Sequence, residues 1–437
     1  MNQRRIALVC MTPAPDGGEL ASMRMPSFGI RRILAAVVAD ARLADAKVAL
    51  VDFGRPDVDA YVDALLRYEP DLVGFSVYVW SLACMVDVAR RVKQRRPQCA
   101  VVFGGPSART AMFDLAPYAP AAAYLDAVVS TEGEAVFCEI ALLPQITRAS
   151  LRSVPGLHLP AAGLWVQTAQ RPLATELDTI ASPAQLGLMP EDSVAYLETY
   201  RGCPLSCRFC EWGASEAART VFSADYIARE LQAFAQQKAQ AVFLLDAGLN
   251  LNAKGFRNLL DAEAQVGVLR DISFWAEIYP TLVKDEHLEF LSRVGTSYLG
   301  IGLQSLDPAV LKLHDRPFDR QRFESAVHKL IPVAQAELQI IFGLPGDTPQ
   351  GFRRTLDYAR SFGIGVRAYH CLVLPDALLT RGRPGWDMHF DPSDMSMTSC
   401  LGWTADDLVQ MRAELDDKVQ RQGGRSGAFW WSFPHSR

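Results

Sequence analysis

What most limits the folds open to this chain is an alternation. Short apolar, β-branched runs recur between stretches of helical periodicity, five in the first third and six from residue 195 onward. The first five runs lie at 6–9, 48–53, 72–77, 100–103 and 127–130, with helical stretches at 30–39, 58–67, through 92 and from 134 to 142. Strands that read as continuous apolar runs are buried on both faces, which predicts a parallel sheet covered by helices. Ligands on such sheets bind beyond the carboxyl ends of the strands. The later six runs, at 195–200, 241–245, 272–278, 298–303, 338–342 and 366–374, alternate with helices at 224–236, 256–265, 286–293, 322–333 and 350–361. Six β/α units predict a partial (β/α)6 barrel, two units short of closure.

Residues 148–192 lack clean periodicity and carry Pro155, Pro160, Pro172, Pro183 and Pro190, so they read as a connecting segment with a small hairpin. After residue 390 one helix remains, at 405–419, and then an aromatic tail at 427–433 that either packs on the barrel or covers its mouth. The expected organisation is α/β throughout: a Rossmann-like domain over 1–147, a linker over 148–192, a partial barrel over 193–390, and a C-terminal helix and tail over 391–437.

Composition excludes several classes. The formal net charge of −5 lacks the basic excess of a nucleic-acid binder, and the basic run at 90–96 reads as a solvated helix face. No segment approaches the roughly 20 apolar residues that span a bilayer. The apolar stretch at 6–9 is too short for a signal sequence, which places the chain in the cytoplasm. Nine cysteines in 437 residues are too sparse for a disulfide scaffold. Six of them, Cys10, Cys84, Cys99, Cys138, Cys371 and Cys400, read as small buried hydrophobes.

The other three are Cys203, Cys207 and Cys210, in Arg201-Gly202-Cys203-Pro204-Leu205-Ser206-Cys207-Arg208-Phe209-Cys210, directly after the first barrel run. Thiolates suit iron–sulfur clusters or zinc. A structural zinc site takes four protein ligands, and no second Cys or His pair follows at finger spacing. Three thiolates on a four-iron cubane leave one iron open to an external ligand.

This C-x₃-C-x₂-C spacing, with Phe209 before the last cysteine, resembles the signature of radical S-adenosylmethionine (SAM) enzymes. Gly300-Ile301-Gly302-Leu303-Gln304-Ser305 and Ile341-Phe342-Gly343-Leu344-Pro345-Gly346-Asp347-Thr348 resemble that family's fourth strand and its fifth strand with the following loop. The resemblance implies a [4Fe-4S] cluster on the three cysteines. SAM binds its open iron and is cleaved there to a 5′-deoxyadenosyl radical. It also implies SAM contacts from Phe209, Asp246, Glu277, Gln304 and Gly343. Leu245-Asp246-Ala247-Gly248 departs from the Gly-Gly-Glu stretch that holds the SAM amine in many members. Asp246 and Glu277 end strands, where a satisfied polar residue is the alternative reading. Gly343, Pro345 and Gly346 read equally as turn residues.

In the first domain, Val73-Gly74-Phe75-Ser76, Phe103-Gly104-Gly105-Pro106 and Ser130-Thr131-Glu132-Gly133 close strands with small residues, which admit a flat cofactor closely. These segments, with Met25-Pro26-Ser27-Phe28-Gly29-Ile30, resemble the cobalamin-binding domain of class B radical SAM methyltransferases. That resemblance implies cobalamin contacts from Ser76, Gly104, Gly105, Thr131, Glu132 and Gly133. The first histidine of the chain is His158, so this domain offers cobalt no imidazole. The activity implied is methyl transfer from methylcobalamin to a substrate carbon activated by the deoxyadenosyl radical. The substrate is a small molecule or short peptide, as in natural-product biosynthesis, and a flavodoxin- or ferredoxin-type protein supplies electrons. Cyclisation or rearrangement without methyl transfer stays open, as does a non-catalytic iron–sulfur sensor. A methylthiotransferase is disfavoured because no basic RNA-binding module follows the barrel.

Overall fold

The structure is a computed structural model that describes residues 3–13, 23–214 and 220–435. It divides into two compact units, Met1–Ser193 with Pro392–Asp394, and Val194–Asp391 with Met395–Arg437.

The first unit is built on one sheet with strand order β2-β1-β3-β4-β5-β6-β7. Its parallel strands are β1 (Arg5–Cys10), β2 (Lys47–Asp52), β3 (Leu72–Ser76), β4 (Ala100–Gly104) and β5 (Ala127–Val129). Ile6 to Val9 of β1 are wholly buried, as a central strand with helices on both faces requires. Helices Phe28–Ala39, Val58–Tyr68, Leu82–Arg95 and Gly133–Leu142 supply that cover.

The segment at 148–192, expected as a linker, adds two strands to this sheet. β6 (Leu157–Ala161) runs antiparallel to β5, and β7 (Leu164–Gln167) antiparallel to β6. The two-residue turn between them, Ala162 (φ +43°) and Gly163 (φ +84°), has the left-handed conformation at both positions that suits the twist of a tight hairpin. The five-stranded sheet expected from the alternation is therefore seven-stranded, because a hairpin is too short to show as a β/α repeat.

Among the described residues the main sheet of the second unit has eight strands, of which six are parallel and stand beside their predecessors in chain order. They are β8 (Val194–Leu197), β9 (Ala241–Leu244), β10 (Ser273–Ile278), β11 (Thr296–Gln304), β12 (Gln335–Phe342) and β13 (Gly365–His370). This is the order of a partial (β/α)6 barrel. β11 alternates buried and half-buried residues along its whole length, with Tyr298, Gly300, Gly302 and Gln304 on the half-buried face. The aromatic tail docks as a strand: Trp430–Phe433 pairs antiparallel with β13 and buries Trp431 and Phe433. The helix expected at 405–419 spans Ala405–Arg421 and opens on a capping box, in which Thr404 and Asp407 satisfy each other's amide. Among the described residues no helix is long and apolar enough to cross a membrane.

Candidate functional site

The loop that leaves β8 carries the three cysteines. Asp246, at the end of β9, fixes its start. The Asp246 carboxylate is buried and accepts hydrogen bonds from Thr199 N (2.8 Å), Tyr200 N (3.4 Å) and the Thr199 hydroxyl. Burial pushes this acid up to about 7, against the lowering effect of those donors. Both oxygens of Asp246 are thus engaged in holding the loop. Gly202 (φ +91°) then turns the chain into the cysteine run.

None of the three is in a disulfide; Cys207 is buried, and Cys203 and Cys210 are half-buried. Leu205 N lies 3.4 Å from the Cys203 sulfur, and Arg316 Nη1 lies 3.9 Å from that of Cys207. Among the described residues no three His, Cys, Asp or Glu side chains converge closely enough to hold a single ion. A cubane instead needs its thiolates spread over three corners. Three thiols on one loop, none in a disulfide, with an amide and a guanidinium turned toward sulfur, fit such an anionic cluster.

The underside of the loop is packed by residues that the sequence did not single out. Phe209 lies 5.7 Å, centroid to centroid, from the buried His314, whose other neighbour is Trp386 at 4.7 Å. His314 Nε2 contacts Pro345 O at 2.9 Å, and burial holds the imidazole down to about 4, so it is neutral and donates that hydrogen bond. Arg208 N donates to His314 O at 3.0 Å, and Arg208 Nε pairs with Asp315 at 2.6 Å. Phe209 therefore anchors the loop to the turn after β11.

The half-buried faces of β10 to β13 hold a polar array. Glu277 accepts a hydrogen bond from Gln339 Nε2 at 2.9 Å, and burial raises its pKa. Gly300 makes room for this pair, since a Cβ there would collide with both Glu277 oxygens and the Gln339 amide. Arg316 donates to Gly302 O and lies over the Tyr279 ring at 5.2 Å. Gln304 has φ +68°, uncommon outside glycine, at a register shift between β11 and β12. Its amide lies against Gly302, where a Cβ would meet it. Gly343 (φ +79°) turns the chain after β12, and Asp347 beyond it accepts from Ser305 Oγ (3.2 Å) and Thr348 N (2.7 Å). Glu337 pairs with Arg367 at 2.9 Å, and Tyr369 nearby is pushed up to about 12, first by burial. On this sheet the structure gathers Glu277, Gln304 and the residues of the 300–302 glycine pair. It sets Asp246 and Phe209 to holding the loop.

In the first unit the carboxyl ends of β3, β4 and β5 meet. Ser76 is the register partner of Gly104, and Val77 N donates to Gly104 O at 2.8 Å. Gly105 (φ +97°) lets the Val77 backbone pack directly against it: a Cβ would stand 2.8 Å from Val77 O and 3.3 Å from Ser76 Oγ. Thr131 follows β5, and its buried hydroxyl has no hydrogen-bond partner. Glu132 accepts from Ala174 N at 2.8 Å, so its carboxylate reaches toward the segment beyond β7. Gly133 opens the helix that follows, against Ile33. Tyr78 and the exposed Trp80 stack at 4.5 Å beyond β3. No spacing pattern pointed to that pair. A close-packed glycine turn, an unpartnered hydroxyl and a flat aromatic surface on one sheet edge fit a large planar cofactor.

The comparisons with known proteins agree with this geometry. Residues 21–141 match the B12 binding domain, and residues 197–359 match the Radical SAM superfamily. The chain is 29% identical over 338 residues to 2-(S-pantetheinyl)-carbapenam-3-carboxylate methyltransferase of Streptantibioticus cattleyicolor, covering 71% of this chain and 48% of that protein. It is 28% identical over 340 residues to the cobalamin-dependent radical SAM methyltransferase TokK of Streptomyces tokunonensis, with the same two coverages. The chain therefore spans about half the length of these relatives. Among solved structures, the methyltransferase TsrM of Kitasatospora setae, with tryptophan substrate and a SAM analogue bound, shares the fold. Its TM-score is 0.68 at 16% identity, over 94% of this chain and 87% of that one. The cobalamin-dependent radical enzyme OxsB, with aqua-cobalamin and SAM bound, also has a TM-score of 0.68, at 12% identity over 96% of this chain and 67% of that one.

Proposed function

The chain belongs to the cobalamin-dependent radical SAM family, and on that premise we propose that it is a methyltransferase acting on a carbon of a small molecule or short peptide. The observation that carries this reading is the set of three cysteines, none in a disulfide, at the end of the first barrel strand, in a chain that also matches a B12 binding domain. Cluster, SAM and cobalamin, when bound, supply reductive cleavage of SAM and carriage of the methyl group. The chain's own part is placement. Cys203, Cys207 and Cys210 are the ligands, and Asp246 and Phe209 fix the loop that bears them. Glu277 and Gln339 form an acceptor–donor pair packed over Gly300, suited to ribose or amine hydrogens. Gln304 and the turn at Gly343 line the same strand ends. In the first unit the turn at Gly105 and the Thr131 hydroxyl receive the corrinoid, with Ser76, Gly104, Glu132 and Gly133 around them. The histidine of the first unit, His158, lies on β6 opposite Val128 of β5. A flavodoxin- or ferredoxin-type donor supplies electrons, and cysteines outside any disulfide suit the reducing cytoplasm. Relatives named as methyltransferases favour methyl transfer over rearrangement or sensing.

Anaerobic reconstitution with iron, sulfide and hydroxocobalamin tests the reading. We expect about four irons per chain, a corrinoid absorption band, and reductant-dependent formation of 5′-deoxyadenosine from SAM together with S-adenosylhomocysteine. Zinc in place of iron would refute the cluster. Iron and deoxyadenosine without corrinoid or S-adenosylhomocysteine would refute methyl transfer alone.

A further inference from the structure

A loop wrapped round an anionic cluster turns amide N–H groups toward sulfur, as Leu205 does toward Cys203. Its carbonyls then face away from the metal. Carbonyls taken out of water need donors, and within the loop Cys210 N supplies one, to Cys207 O at 3.2 Å.

Further donors come from a segment 170 residues further along the chain, after β13. Arg381 Nη2 donates to Cys207 O at 3.0 Å and to Cys210 O, and Arg381 Nη1 donates to Ser206 O at 3.3 Å. The third nitrogen of the guanidinium, Nε, donates to Asp376 O at 2.8 Å, which ties the side chain to its own turn. The contact is reciprocal, since Arg208 Nη1 donates to Arg381 O at 2.9 Å. Arg208 is held in turn by Asp315, which Arg383 also approaches at 3.9 Å. One planar fork thus collects three carbonyls of the residues between and at the cysteines, two of them carbonyls of cysteines themselves. A lysine offers a single compact ammonium and cannot span the three.

We propose that Arg381 is a positioning residue for the cluster. It clasps the outward carbonyls of the 206–210 loop so that the thiolates keep one arrangement with and without metal. The inference rests on the cluster reading above.

The test uses the full chain, reconstituted anaerobically with iron and sulfide, as wild type, Arg381→Met, Arg381→Lys and, as a surface control, Arg293→Met. The readouts are the rate of iron release to a ferrous chelator, the electron paramagnetic resonance spectrum of the reduced cluster, and the melting temperature of the iron-free chain. Outer-sphere partners of metal ligands typically change metal retention by roughly 10–100-fold. Release from Arg381→Met is expected to be faster by that factor, with an altered spectrum and an unchanged melting temperature. Arg381→Lys falls between, and the control matches wild type. Wild-type release rates and spectra in both Arg381 variants would overturn the proposal. If Arg381→Met does not fold, a wild-type rate in Arg381→Lys overturns it alone. A wild-type chain that takes up no iron would instead overturn the cluster reading on which the proposal stands.

Discussion

At the strand ends of the barrel, the residues brought together are side chains with chemistry of their own. They include three thiols, the buried acids Asp246 and Glu277, and the cations Arg316 and Arg381. At the strand ends of the first sheet the working parts are mostly backbone: the close-packed turn at Gly105, the register pair Ser76–Gly104, and one unpartnered hydroxyl at Thr131. The barrel would hold its metal by donated ligands. The first sheet would hold its cofactor by shape. A ligand set is broken by removing an atom, whereas a shaped surface is broken by adding one.

The sharpest way to break this contrast is a reciprocal pair of substitutions. Cys203→Ser removes one of three ligands and is expected to abolish cluster iron and SAM cleavage while leaving the corrinoid band in place. Retention of wild-type iron would contradict the ligand assignment. Gly105→Val adds atoms where φ is +97° and where a Cβ already meets the Val77 backbone at 2.8 and 2.9 Å. Left-handed backbone and overpacking together cost about 2–5 kcal/mol. We expect loss of corrinoid and a lower melting temperature, with the iron content unchanged. A Gly105→Val chain that binds hydroxocobalamin normally would show that the cofactor does not approach this edge.

The same contrast explains what could be read from the sequence. Cys203, Cys207 and Cys210 fall within eight residues, so their common purpose is visible in spacing alone. The residues that hold them are not. Arg381 reaches the loop across more than 170 residues, and His314 and Asp315 across about a hundred, and no local pattern records a pairing of that range. The first set of parallel strands was legible as continuous apolar runs, and the second as β-branched and apolar runs recurring between helices. The small hairpin expected within 148–192 is β6–β7, with its tight turn at Ala162-Gly163; that it joins the first sheet beside β5 was not legible, because strand pairing leaves no local pattern. The tail showed its aromatic content but not its strand pairing with β13, which depends on a partner 60 residues away. Asp246 was legible as a strand-end acid. Its hydrogen bonds to Thr199 and Tyr200 turn it inward, toward the loop's first residues.

Asp246 also offers the smallest and most exacting test, because it asks whether a buried acid in the barrel acts on the loop through charge or through hydrogen bonding. Burial moves it from 3.8 to about 7. Between those values the folded chain binds more protons at this site than the unfolded chain does. Stability therefore falls as pH rises through that window and levels off above it. At 1.36 kcal/mol per pH unit the fall between pH 5 and pH 7 has a ceiling of about 3 kcal/mol, and relaxation of the buried site leaves about 2 kcal/mol. Asp246→Asn keeps an acceptor for Thr199 N and removes the titration. Denaturant melts of the iron-free chain at the two pH values should show the wild type losing about 2 kcal/mol more than the variant on going to the higher pH. Equal losses would mean that Asp246 stays ionised throughout and acts on the cysteine loop as a charge. A variant without the pH slope but with normal iron uptake would show that the hydrogen bonds alone set the loop's first turn.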